Sequence, residues 1–106
     1  MVKLINSMAE FDNELATAGG KLVVVDFTAT WCGPCKMIAP VFEELSIRYK
    51  GQVIFLKVDV DEVADLCQQC GIRSMPTFQF YKNGKKVHEF SGANQSKLHQ
   101  KVDELK

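Results

Sequence analysis

The run Leu22-Val23-Val24-Val25-Asp26-Phe27 limits the fold of this chain more than any other segment. Its β-branched, nearly unbroken apolar character does not suit a strand with one wet face, so it predicts a central strand in a sheet covered on both sides. The covering layers must come from the rest of the chain. Ser7 followed by Glu10 is a capping-box signature, and Phe11, Leu15 and Ala18 then recur at helical spacing until Gly19-Gly20. From Cys35 onward, Met37, Ile38, Val41, Phe42, Leu45 and Tyr49 form a second apolar stripe that ends at Lys50-Gly51. Pro40 falls inside that stripe, removes one backbone hydrogen bond and predicts a kink.

Further strands are predicted at Val2 to Ile5, Val53 to Asp59, Thr77 to Tyr81 and Lys86 to Ser91, the last two joined by the hairpin signal Asn83-Gly84. A short helix is predicted from Glu62 to Cys70, stopped by Gly71, and a terminal one from Gln95 to Leu105 with Leu98, Val102 and Leu105 facing inward. The order β-α-β-α-β-α-β-β-α predicts an α/β protein. Its mixed sheet is expected to be parallel where helices cross over and antiparallel at the hairpin, with helices on both faces. No linker, repeat or shift in composition divides the chain, so residues 1–106 read as one domain.

Thirteen Lys and Arg balance thirteen Asp and Glu. The electrostatic drive toward nucleic acid is therefore absent, and no such partner is expected. With 46% hydrophobic and 25% charged residues, the chain has the apolar content of a folded protein. No window is long and apolar enough for a membrane span, and Met1-Val2-Lys3-Leu4-Ile5-Asn6 lacks the apolar stretch of a signal peptide. A cytoplasmic location without membrane attachment is the expectation. There, four cysteines point to redox chemistry or metal binding rather than to a disulfide framework.

Cys32 and Cys35 fall where the central strand gives way to the second helix. A sulfur there faces unpaired N–H groups and the positive end of the helix dipole, which favours the nucleophilic thiolate. Pro34 suits a first helical turn, and Gly33 is expected to let the backbone turn sharply and leave Cys32 open to a bulky substrate. A Cys-x-x-Cys is also compatible with half of a zinc site or with two core thiols, and the strand-to-helix setting is what favours redox work. Asp26 lies in an apolar run, where desolvation raises a carboxyl pKa and makes a general base; a solvated strand-end aspartate is the alternative. Lys57 is a candidate partner charge for Asp26 or a solvated lysine. Trp31 alone reads equally as a core residue. His88 and His99 are expected at the surface.

Cys67 and Cys70 repeat the spacing in another setting. With Val63 and Leu66 they follow the i, i+3, i+4, i+7 pattern of a buried helical face, at a helix C-terminus whose dipole opposes a thiolate. Asp61, Glu62 and Asp65 add negative charge, so raised thiol pKa values are expected. Core packing and a regulatory redox role are the two readings. A zinc site built from all four cysteines is disfavoured by the long stretch between Cys35 and Cys67, which exceeds the roughly 15 to 20 residues of familiar zinc spacings.

Trp31-Cys32-Gly33-Pro34-Cys35-Lys36, the preceding Val24-Val25-Asp26-Phe27-Thr28-Ala29-Thr30 and the downstream Met75-Pro76-Thr77 resemble the thioredoxin family. Asp26, Pro40, Lys57, Pro76 and Gly92 extend the resemblance along the whole chain, and the extra cysteines resemble those of its animal cytosolic members. The resemblance implies a thioredoxin fold, a central mixed five-stranded sheet flanked by four helices. It also implies a thiol-disulfide oxidoreductase acting as a protein-disulfide reductase through a redox-active Cys32–Cys35 disulfide. Cys32 then attacks the substrate disulfide, Cys35 resolves the mixed disulfide, and Asp26 assists proton removal from Cys35. A cis Pro76 with Met75 before it would offer backbone groups to an extended substrate, while Trp31, Gly92 and Ala93 complete an apolar groove. The implied protein is a monomer with no metal and no bound cofactor. Its implied partners are disulfide-bearing proteins and a reductase that delivers electrons from NADPH. A binding module that holds partners without turnover uses the same groove.

Overall fold

A computed structural model describes all 106 residues. The strands are β1 (Val2–Leu4), β2 (Leu22–Thr28), β3 (Val53–Asp59), β4 (Thr77–Lys82) and β5 (Lys85–Ser91). The helices are α1 (Met8–Thr17), α2 (Gly33–Arg48), α3 (Ala64–Gln69) and α4 (Gln95–Leu105). The sheet order β1-β3-β2-β4-β5 places β2 in the middle, and Leu22 to Phe27 are all buried. This mixed five-stranded sheet with four helices is the expected fold class.

Strand direction departs from expectation at one place. β1 and β2 both run parallel to β3, but β4 lies antiparallel to β2 as well as to β5. The crossover through α3 therefore does not yield a parallel pair. Six helical residues span about 9 Å, far less than the roughly 23 Å of a seven-residue strand. The chain re-enters the sheet at the end where β3 left it, with Thr77 beside Phe27. That topology gathers the carboxyl ends of β2 and β3 and the start of β4 at one end of the sheet.

Alternation along β2 divides the core between two faces. Leu22 and Val24 pack with Ile38, Phe42 and Leu45 of α2 and with Leu98 and Val102 of α4. Val23, Val25 and Phe27 pack on the other side with Phe11 of α1 and Leu66 of α3. Ser7 caps α1 by accepting the Glu10 N–H at 3.1 Å, and the Glu10 carboxylate accepts from Asn6 at 2.6 Å, one residue before the cap. Helix α2 continues through Pro40, which is exposed. In the hairpin, Asn83 and Gly84 both adopt positive φ, 55° and 78°, the conformation of a turn matched to strand twist. The register shifts after Phe80–His88 so that Tyr81 pairs with Lys86 and Val87 bulges out.

Candidate active site

Cys32 is the N-cap of α2, and Gly33 and Pro34 open the first turn. Cys32 and Cys35 form a disulfide with their Cα atoms 5.3 Å apart. The Cys32 sulfur accepts the Cys35 N–H at 3.2 Å, so it stands in for a capping oxygen and satisfies one of the orphan donors of the helix start. Negative charge on that atom is favoured by the N–H and by the helix dipole together.

Two local expectations need correction. Cys32 is only 6% exposed, hardly more than Cys35 at 3%, because both pack with Ala29 and under Met75. An exposed loop is therefore not how the structure presents Cys32. Gly33 has no positive φ, so no sharp turn requires it; a Cβ there would meet nothing within 4 Å.

The loop before β4 forms the opposite wall. The Met75–Pro76 bond is cis, and the Met75 carbonyl oxygen lies 3.7 Å from the Cys32 sulfur. Gly92 holds φ at 102°, in the region that favours glycine, and donates its N–H to the Pro76 carbonyl at 2.9 Å. The neighbouring Ala93 is half-buried against the core shared with α2 and α4. Trp31 is no core residue: it is 65% exposed, and its indole Nε1–H donates to Asp61 at 2.8 Å. In the sequence, Asp61 reads only as background charge near the second cysteine pair. No local pattern joins two residues thirty positions apart, so this partner became visible only in three dimensions.

Asp26 sits on the α2 face of the sheet, beside Lys57 of β3 and Phe78 of β4 in the strand register. It is 1% exposed, and its Oδ1 has no hydrogen-bond partner. Burial pushes its pKa up to about 7 despite the opposing pull of Lys57. A solvated strand-end aspartate is thereby excluded. Lys57 and Cys35 line one cleft of about 200 Å³, together with Thr28, Lys36 and Asp59.

The second cysteine pair carries free thiols, with Cys67 buried and Cys70 half-buried. Burial, then the neighbouring Cys70 and the carboxylates of Asp59, Asp65 and Asp61, push the Cys67 thiol up to about 11. Burial also raises Cys70. His88 is less of a surface residue than expected. Its ring packs against Phe80 and Phe90, its Nε2 is buried without a partner, and burial lowers its pKa.

Comparison with known proteins agrees with this geometry. The family profile described as Thioredoxin matches residues 2–104. Thioredoxin from Mus musculus is 59% identical over 104 residues, covering 98% of each chain. Thioredoxin from Gallus gallus is 56% identical over 105 residues, 99% of each. Among solved structures, thioredoxin from Fasciola hepatica superposes with a TM-score of 0.95 at 40% identity, covering 98% of this chain and 99% of that one.

Proposed function

The chain belongs to the thioredoxin family, a family of dithiol-disulfide oxidoreductases, and from that premise we propose a general protein-disulfide reductase in which Cys32 attacks and Cys35 resolves. The Cys32 thiolate attacks one sulfur of a substrate disulfide; a mixed disulfide forms and the first substrate thiolate leaves. Cys35, deprotonated with the help of Asp26, then attacks the Cys32 sulfur. The second substrate thiolate departs, and two electrons have passed to the substrate as the Cys32–Cys35 disulfide forms. Trp31, Met75, Pro76, Gly92 and Ala93 hold the substrate segment beside Cys32. Lys57 lies beside Asp26 in the strand register, while Gly33 and Pro34 form the first turn of α2. An NADPH-dependent reductase restores the dithiol, so no cofactor need be bound. The protein acts as a monomer in the cytoplasm; no helix is long and apolar enough to cross a membrane.

The observation that carries this reading is the Cys32 sulfur at the N-terminus of α2, accepting the Cys35 N–H at 3.2 Å. It gives one of the four thiols a setting that stabilises the thiolate. The test is insulin-disulfide reduction coupled to a thioredoxin reductase and NADPH. Continuous NADPH consumption that needs both insulin and this protein is the expected result. A folded, reduced protein that binds insulin without turnover would point to the binding module instead.

A further inference from the structure

Gln79 occupies a position where the strand pattern calls for an apolar side chain. It is fully buried on β4, between Phe78 and Phe80 in sequence and opposite Val25 in the sheet. A buried amide without partners is costly, yet both of its polar atoms are engaged. Its Nε2 donates to the Cys70 carbonyl at the C-cap of α3 (3.1 Å) and to the Glu89 carboxylate on β5 (2.8 Å). Its Oε1 accepts the Tyr81 hydroxyl at 2.6 Å.

The Cys70 carbonyl is where α3 hands over to the segment leading to Met75 and Pro76. That segment is tied at its far end as well, by the Thr77 hydroxyl on the Ser74 carbonyl (2.6 Å) and the Gly92 N–H on the Pro76 carbonyl (2.9 Å). We propose that Gln79 is a positioning residue for substrate recognition: by fixing the Cys70 carbonyl to the sheet it sets where the Met75 backbone stands beside Cys32. The inference rests on the reading of Met75 as a substrate-facing residue. Gln79 touches no reacting atom, so its influence falls on recognition of an extended protein segment rather than on thiol chemistry.

The experiment compares Gln79→Met, which keeps volume and removes the clamp, with Tyr81→Phe, which removes a bond to the same amide and leaves the Cys70 clamp in place. Steady-state insulin reduction is measured for each, with thermal unfolding alongside. Gln79→Met is expected to raise KM about fivefold with kcat held within about twofold, the scale of the one bond to the Cys70 carbonyl among the three it removes. Tyr81→Phe is expected to lower thermal stability without moving KM. A Gln79→Met protein that is destabilised but has an unchanged KM overturns the proposal, and so does an equal KM rise in Tyr81→Phe. If Gln79→Met does not fold, Gln79→Leu is held to the same criterion. A separate arm reacts reduced Cys35→Ser with a disulfide-linked peptide, so that Cys32 keeps one half as a mixed disulfide while the other half leaves as its thiolate, and follows amide hydrogen exchange. Absence of slowed exchange at Met75 overturns the groove reading and the proposal with it. Slowed exchange together with an unmoved KM in Gln79→Met overturns the positioning role alone.

Discussion

The four cysteine sulfurs of this small protein face unlike electrostatic surroundings, and on the proposed reading that contrast decides which of them reacts. Cys32 sits at the start of α2 with an N–H on its sulfur, whereas Cys67 and Cys70 lie at the far end of α3, where burial and acidic neighbours raise their pKa values. Limited alkylation of the reduced protein at pH 7 is expected to label Cys32 first and Cys67 last; peptide mapping that finds Cys67 or Cys70 modified ahead of Cys32 contradicts the electrostatic argument. Asp26 supplies a second test. Its folded pKa of about 7 exceeds the ordinary carboxyl value, so between about pH 4 and 7 the native state holds a proton that the unfolded chain has lost. Stability contributed at this site is therefore lost as pH rises through that window. Asp26→Asn is expected to flatten the slope and raise unfolding free energy at pH 8 by about 2–4 kcal/mol, while slowing insulin reduction. Denaturant titrations at pH 4 and pH 8 check the first part. Equal stability of the two proteins at pH 8 would show that the carboxylate is not strained by burial.

Element boundaries answer to local chemistry, and some can be tested one bond at a time. Ser7→Ala removes the cap on the Glu10 N–H and is expected to cost about 1 kcal/mol in urea unfolding; no change would mean that the Glu10 bond to Asn6 suffices to start α1. The capping box, the Leu22–Phe27 strand, the Asn83-Gly84 turn and the α2 stripe were all legible in the sequence because each depends on neighbours a few residues apart. The antiparallel return of β4 was not, since hydrophobic periodicity carries no strand direction. Within the site, the pair Cys32–Cys35 and the environment of Asp26 could be read from motif and apolar context. The indole–Asp61 bond, the burial of Cys32 and the three partners of Gln79 depend on packing between elements distant in sequence, for which the chain holds no local mark.

At the scale of the whole molecule, the α2 face of the sheet is built on aromatic contacts that also hold α2, and with it the cysteines, against β3 and β4. Phe42 meets Phe55 edge-on at 5.3 Å and Phe78 at 5.8 Å, and all three are fully buried. Phe42→Ala is expected to cost about 3–5 kcal/mol, a large share of the roughly 5–15 kcal/mol typical of a folded domain. Urea unfolding checks this value, and a loss below about 1 kcal/mol would mean that the face repacks. The proposed reductase requires the scaffold to present two thiols with unequal roles. Its most direct test compares Cys35→Ser with Cys32→Ser, each incubated in reduced form with disulfide-bearing proteins, quenched with acid and run on non-reducing gels. Attack needs only the thiolate at the helix start, whereas release needs the second thiol. Cys35→Ser is therefore expected to accumulate reducible covalent adducts and Cys32→Ser to form none. Equal adduct yields from the two proteins would contradict the assignment of attacking and resolving cysteines.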